Sequence, residues 1–110
     1  MTVSLPAPIA RYFAGKNARD YATAISAFVP SAVVRDEGHR HEGQAAIAAW
    51  MEETTVRYDD RADVTGFAAE AGGRIKVRAS VSGNFPGSPI AIGFVFTLEG
   101  ERIAELEIGS

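Results

Sequence analysis

Three residues suited to acid–base chemistry lie close together in the first half of the chain: Asp36, His39 and His41. The two histidines are the only ones. They are two positions apart, so on a strand both rings project from one side. With Asp36 or Glu42 they form the beginnings of a metal site; in a polar hairpin the same residues are solvated surface groups. If His41 points inward, its imidazole can exchange protons with Asp36 near neutral pH. Asp36 itself, followed by Glu37 and Gly38, also reads as a turn aspartate bonded to the backbone of those residues. Phe28, Trp50, Phe67, Phe94 and Phe96 could line a pocket for a flat apolar ligand. They are equally the residues a small core needs.

Composition narrows the chemistry further. The chain has 110 residues and no cysteine, which excludes disulfides, thiolate catalysis and cysteine metal sites. It has no glycine-rich phosphate loop and no convincing metal cluster, so no metal and no cofactor are expected. A net charge of −3 with scattered Lys and Arg argues against nucleic acid as a partner. No stretch approaches the roughly 20 apolar residues of a membrane helix, and the first residues lack the pattern of a signal peptide. A cytoplasmic protein with one domain over 1–110 is the expectation.

Helices fill the first half and strands the second, which argues an α+β fold rather than alternating βαβ units. Ile9, Tyr12 and Phe13 make one face of a short helix over about 8–15, with Pro6 and Pro8 tolerated in its first turn. Asn17 is placed to cap a second helix striped by Tyr21, Ile25 and Phe28 and stopped by Pro30. A short strand over 32–36 turns at Glu37-Gly38 and pairs with a second over 39–42. Gly43 opens a third helix with Ile47, Trp50, Met51 and Thr54 on one side, ended by Tyr58-Asp59-Asp60-Arg61. Strands follow over 64–70, around Ile75–Val81 with period-2 alternation, over 90–98 and over 102–108. Phe85-Pro86-Gly87-Ser88 fits a type II turn. The surrounding 81–89 segment is either a well-built hairpin turn or a loop that closes a pocket mouth or packs between subunits. The 90–98 strand is apolar on both faces, which suits a central strand.

Helix, helix, short hairpin, long helix and then an antiparallel meander is the order of the nuclear transport factor 2-like superfamily. The residues resemble that superfamily too, and most closely its SnoaL-like and ketosteroid-isomerase-like members. Phe28, the run Ala32-Val33-Val34-Arg35-Asp36-Glu37-Gly38, then Gly43, Ala46-Ile47 and Trp50 carry the likeness, with Leu98-Glu99-Gly100-Glu101-Arg102-Ile103 as the closing hairpin. The resemblance implies a cone: three N-terminal helices packed on a curved antiparallel sheet. It implies that Asp36 is a base moving a proton beside a carbonyl, a role that desolvation at an apolar rim favours. Ala10-Arg11-Tyr12 resembles the segment whose tyrosine donates a hydrogen bond to the developing oxyanion.

Several features depart from the relatives. Ile90-Ala91-Ile92-Gly93-Phe94-Val95-Phe96 holds no second acid such as isomerases use. The late sheet has no histidine such as cyclases use. Arg78 and Asp63 lack the spacing of an epoxide hydrolase's Asp-Arg-Asp set. The expected function is a cofactor-independent isomerase, cyclase or lyase acting by proton transfer on a small apolar carbonyl compound. The alternative is a non-catalytic ligand-binding or dimerisation module. The superfamily also leads one to expect a homodimer formed through the outer sheet face.

Overall fold

The computed structural model describes residues 5–109. Helix α1 spans Ala7–Asn17 and buries Ile9, Tyr12 and Phe13 on the face their spacing predicted. Helix α2, Tyr21–Ser26, is capped by Asp20, whose carboxylate accepts from the Thr23 backbone N–H at 3.2 Å and from its hydroxyl at 2.7 Å. Asn17 does not cap it. Its side chain clamps the Ala62 backbone instead, donating to the carbonyl at 2.8 Å and accepting from the N–H at 3.0 Å.

Phe28 and Pro30 also depart from expectation, because the chain is already extended at Phe28. Strand β1 runs Phe28–Asp36 and contains Pro30, which was expected to stop the preceding helix. Its pairing shifts register between Phe28 and Val33. Proline, having no N–H for a ladder, is tolerated at such an irregularity.

β1 turns through Glu37-Gly38 into β2, His39–Glu42, as its composition suggested. Helix α3, Gln44–Tyr58, buries Ile47, Trp50, Met51 and Thr55. The meander is β3 (Arg61–Glu70), β4 (Arg74–Ser82), β5 (Ile90–Glu99) and β6 (Arg102–Gly109). The strands form one six-stranded sheet in the order β2-β1-β6-β5-β4-β3. Every pairing is antiparallel except β1 with β6, which is parallel. The sheet is therefore mixed. The parallel pair joins strands from opposite ends of the chain, where no hairpin dictates direction.

The three helices cover one face of this sheet, giving the α+β cone. β5 is central, between β4 and β6. Its inward residues include Phe94 and Phe96, both buried. Its outward residues are the small Ala91, Gly93, Val95 and Thr97. Around the inward Phe94 and Phe96 the core collects Tyr12, Phe13 and Phe28 in edge-on aromatic contacts.

Candidate active site

Between the helices and the sheet lies a cavity of about 260 Å³. Each element supplies its lining by its own period. α1 contributes Tyr12 and Lys16, four residues apart and so on one face. α3 contributes Trp50, Thr54 and Tyr58 at the same spacing. β5 contributes the alternating Ile90, Ile92 and Phe94. Asp36, Glu37, Asp60, Ala62, Val81, Phe85 and Ile108 complete the wall.

At the β1 side, the Trp50 indole N–H donates to Asp36 Oδ2 at 3.0 Å. This bond fixes the half-buried carboxylate at the rim and leaves its other oxygen without a partner among the described side chains. Asp36 thus occupies the cavity wall instead of a solvated turn.

Tyr12 is completely buried and its hydroxyl has no hydrogen-bond partner. Burial, then the negative charges of Asp60 and Asp36, push its pKa well above the ordinary phenol value of 10.0. It is a neutral donor at any physiological pH.

At the β3 side, Lys16 Nζ meets Asp60 Oδ2 at 2.7 Å, with side chains only 6% and 13% exposed. A set of hydrogen bonds fastens this corner. Asp59 closes α3 in a left-handed conformation and its N–H donates to the Thr55 carbonyl at 2.8 Å. Arg19 donates to the Asp60 carbonyl at 2.7 Å and pairs with Asp59 at 2.8 Å. The Asn17 clamp on Ala62 holds the second residue of β3.

The 81–89 segment forms the expected turn. The Ser88 N–H donates to the Phe85 carbonyl at 3.3 Å and Gly87 has a φ of 83°. The segment also folds over the cavity of its own chain. Phe85 packs edge-on against Tyr58 at 6.0 Å between ring centroids. Gly83 allows this approach, since a Cβ there would lie 2.6 Å from the Tyr58 carbonyl oxygen.

Of the residues the sequence singled out, Asp36, Tyr12, Trp50 and Phe94 come together in the cavity. Phe28 and Phe96 do not line it; they are core residues fully enclosed behind it. Phe67 is half-buried on β3 and also lies outside the lining. His41 sits on β2 with its ring 5.8 Å from that of Trp50 and does not reach the cavity. His39 is exposed. Among the described residues, neither histidine joins a set of three potential metal ligands. Arg78 and Asp63 lie on the outer face of the sheet, where Asp63 pairs with Arg61.

Lys16 and Asp60 were missed. A lysine four residues after Tyr12 on an apolar helix face was a usable signal. Asp60 offered none, because its inward direction depends on the left-handed turn at Asp59.

A helical layer over a curved sheet with a polar-tipped apolar cavity defines the ketosteroid-isomerase-like, or nuclear transport factor 2-like, fold. The chain belongs within it to the SnoaL-like domain family, whose model matches residues 9–106. Among solved structures, a candidate polyketide cyclase from Sinorhizobium meliloti shares 38% identity, with 94% of each chain covered and a TM-score of 0.90. A second candidate polyketide cyclase, from Pseudomonas putida KT2440, shares 21% identity over 99% of this chain and 92% of its own, with a TM-score of 0.76. A protein of ketosteroid isomerase-like fold from Catenulispora acidiphila, solved with trimethylamine, shares 17% over 97% and 87%, with a TM-score of 0.83. The last two likenesses speak to fold alone. No curated protein sequence matches the chain.

Proposed function

We propose that this protein is a cofactor-independent isomerase, cyclase or lyase that moves a proton on a small, largely apolar carbonyl compound bound in the cone. The observation that carries the reading is Asp36, held by Trp50 in the wall of a cavity whose lining also includes Tyr12, with its buried and unpartnered hydroxyl. Asp36 takes the proton beside the carbonyl. The neutral Tyr12 O–H donates to the oxygen as it gains charge, in a site where such a donor is worth several kcal/mol. The similarity to the Sinorhizobium candidate cyclase supports this class of chemistry. The small cavity suits a ligand of one or two rings.

A second reading keeps the ligand and drops the reaction. It is favoured by the apolar back wall, Ile90, Ile92 and Phe94, which offers a flat ligand contact without a reactive group. Trp50 is the only tryptophan, so its fluorescence reports on the cavity. Titration with 1-tetralone, a bicyclic enolisable ketone, is expected to give a saturable change in emission. No change with 1-tetralone or any hydroxylated tetralone would remove the cavity as a ligand site and both readings with it.

We further propose that a second copy packs on the outer sheet face. There the cationic side of β4 (Arg74, Lys76, Arg78) and the acidic side of β6 (Glu107, with Glu105 already paired to Arg35 at 2.6 Å) flank the small residues of β5. A two-fold axis along β5 sets each charged stripe over its opposite in the partner.

A further inference from the structure

Asp36 and Asp60 belong to opposite sides of the cone. Asp36 ends β1, next to the edge strand β2, and Asp60 leads into β3, the strand at the far edge of the sheet. Helix α3 spans the distance, with Trp50 at the Asp36 end and Tyr58 at the Asp60 end, about 12 Å of helical rise apart. The cavity therefore has two polar poles, of which the proposed chemistry uses only the first.

The second pole is incompletely bonded. Lys16 takes Asp60 Oδ2 at 2.7 Å, but Asp60 Oδ1 is buried without a partner. The Tyr12 hydroxyl is likewise buried without one, and both residues line the same cavity. Buried polar atoms are nearly always hydrogen-bonded, and those left open need an explanation. Paired with Lys16, Asp60 is a carboxylate and offers only lone pairs. The missing complement is thus one acceptor, for the Tyr12 O–H, and one donor, for Asp60 Oδ1.

A carbonyl oxygen supplies the acceptor but no donor. A ligand carboxylate supplies no donor either, and it would meet a wall that carries Asp36, Glu37 and Asp60 against the single cation Lys16. A hydroxyl supplies the donor without charge. We infer that the ligand is an uncharged carbonyl compound that also carries a hydroxyl, and that Asp60, positioned by Lys16, selects it. This rests on the cavity being the ligand site, as proposed above. A site built to bond a hydroxyl rejects the analogue lacking that donor far better than an apolar pocket discriminates by shape.

The test is calorimetric titration of the purified protein with 1-tetralone, a set of hydroxy-1-tetralones differing in hydroxyl position, and the methyl ether of each. At least one hydroxyl isomer is expected to bind at least about tenfold more tightly than its own ether. The Lys16→Met/Asp60→Leu double variant removes the acceptor without leaving a lone buried charge. In it the preference of the hydroxyl isomer over its own ether is expected to shrink to about twofold or less. If 1-tetralone binds but no hydroxyl isomer outdoes its ether, the hydroxyl assignment is wrong while the cavity reading stands. A preference that persists in the double variant overturns the role of Asp60. Failure of every tetralone to bind overturns this inference together with the cavity reading. The wild-type comparison needs no variant, so misfolding cannot hide the answer.

Discussion

Tyr12 keeps its proton because the phenolate would be both desolvated and repelled by Asp60 and Asp36. Its folded pKa lies above the unfolded value, so the folded state holds its proton where the unfolded chain has lost it. The linked stability is fully present below about pH 10 and falls as pH rises beyond it, by about 1.4 kcal/mol per pH unit. Chemical denaturation between pH 9 and 11 should show this decline, and Tyr12→Phe should remove that part of the slope. A Tyr12→Phe profile parallel to the wild type would mean that the phenol ionises freely. The Lys16–Asp60 pair makes a second residue-scale prediction. Lys16→Met leaves a buried carboxylate unpaired and should cost about 3–5 kcal/mol. The Lys16→Met/Asp60→Leu double variant should lie within about 1 kcal/mol of the wild type or above it. Denaturant midpoints of the two decide the matter, and equal losses would show that the pair is not acting as a unit.

The elements around the cavity are joined by a few side chain to backbone bonds. Asn17 carries the joint between α1 and β3 through its two bonds to Ala62. Asn17→Ala should destabilise the fold by about 1–3 kcal/mol, since it strips partners from part-buried backbone groups. A change within 0.5 kcal/mol, about the size of a neutral surface substitution, would show that the joint is not needed. Elements of this kind mark the boundary of what the sequence discloses. α1, α3 and the meander were legible from periodicity, because their apolar faces repeat every 3.6 or 2 residues. The start of β1 was not. Phe28 sits at helical spacing from Tyr21 and Ile25, and only its pairing with Ile103 near the far end of the chain makes it extended. The candidate site was legible in the same uneven way. Asp36 and Tyr12 stand in segments that resemble those of the superfamily, whereas Asp60 follows one left-handed residue, Asp59. The aromatic residues could not be sorted from sequence, since Phe94 and Phe96 are two apart on one face of β5 and only Phe94 reaches the cavity.

The whole molecule combines a cone, over whose cavity its own 81–89 segment lays Val81 and Phe85, with an outer sheet face striped by charge. Sedimentation at micromolar concentration should give a dimer. Lys76→Glu should weaken it about tenfold or more, and adding Glu107→Lys should restore it, since the two stripes then exchange signs at one contact. A monomer, or a dimer indifferent to both changes, would place the interface elsewhere. Within the cone, the central claim is that Asp36 removes a proton beside a bound carbonyl. The most direct measurement is proton–deuterium exchange at C2 of 1-tetralone in D2O, followed by NMR with and without the protein. The account predicts exchange well above the buffer rate with the wild type, reduced by about 100-fold or more in Asp36→Asn, which keeps an oxygen acceptor for the Trp50 N–H. Exchange equally fast in Asp36→Asn, or a wild-type rate no greater than buffer while 1-tetralone is bound, would contradict it.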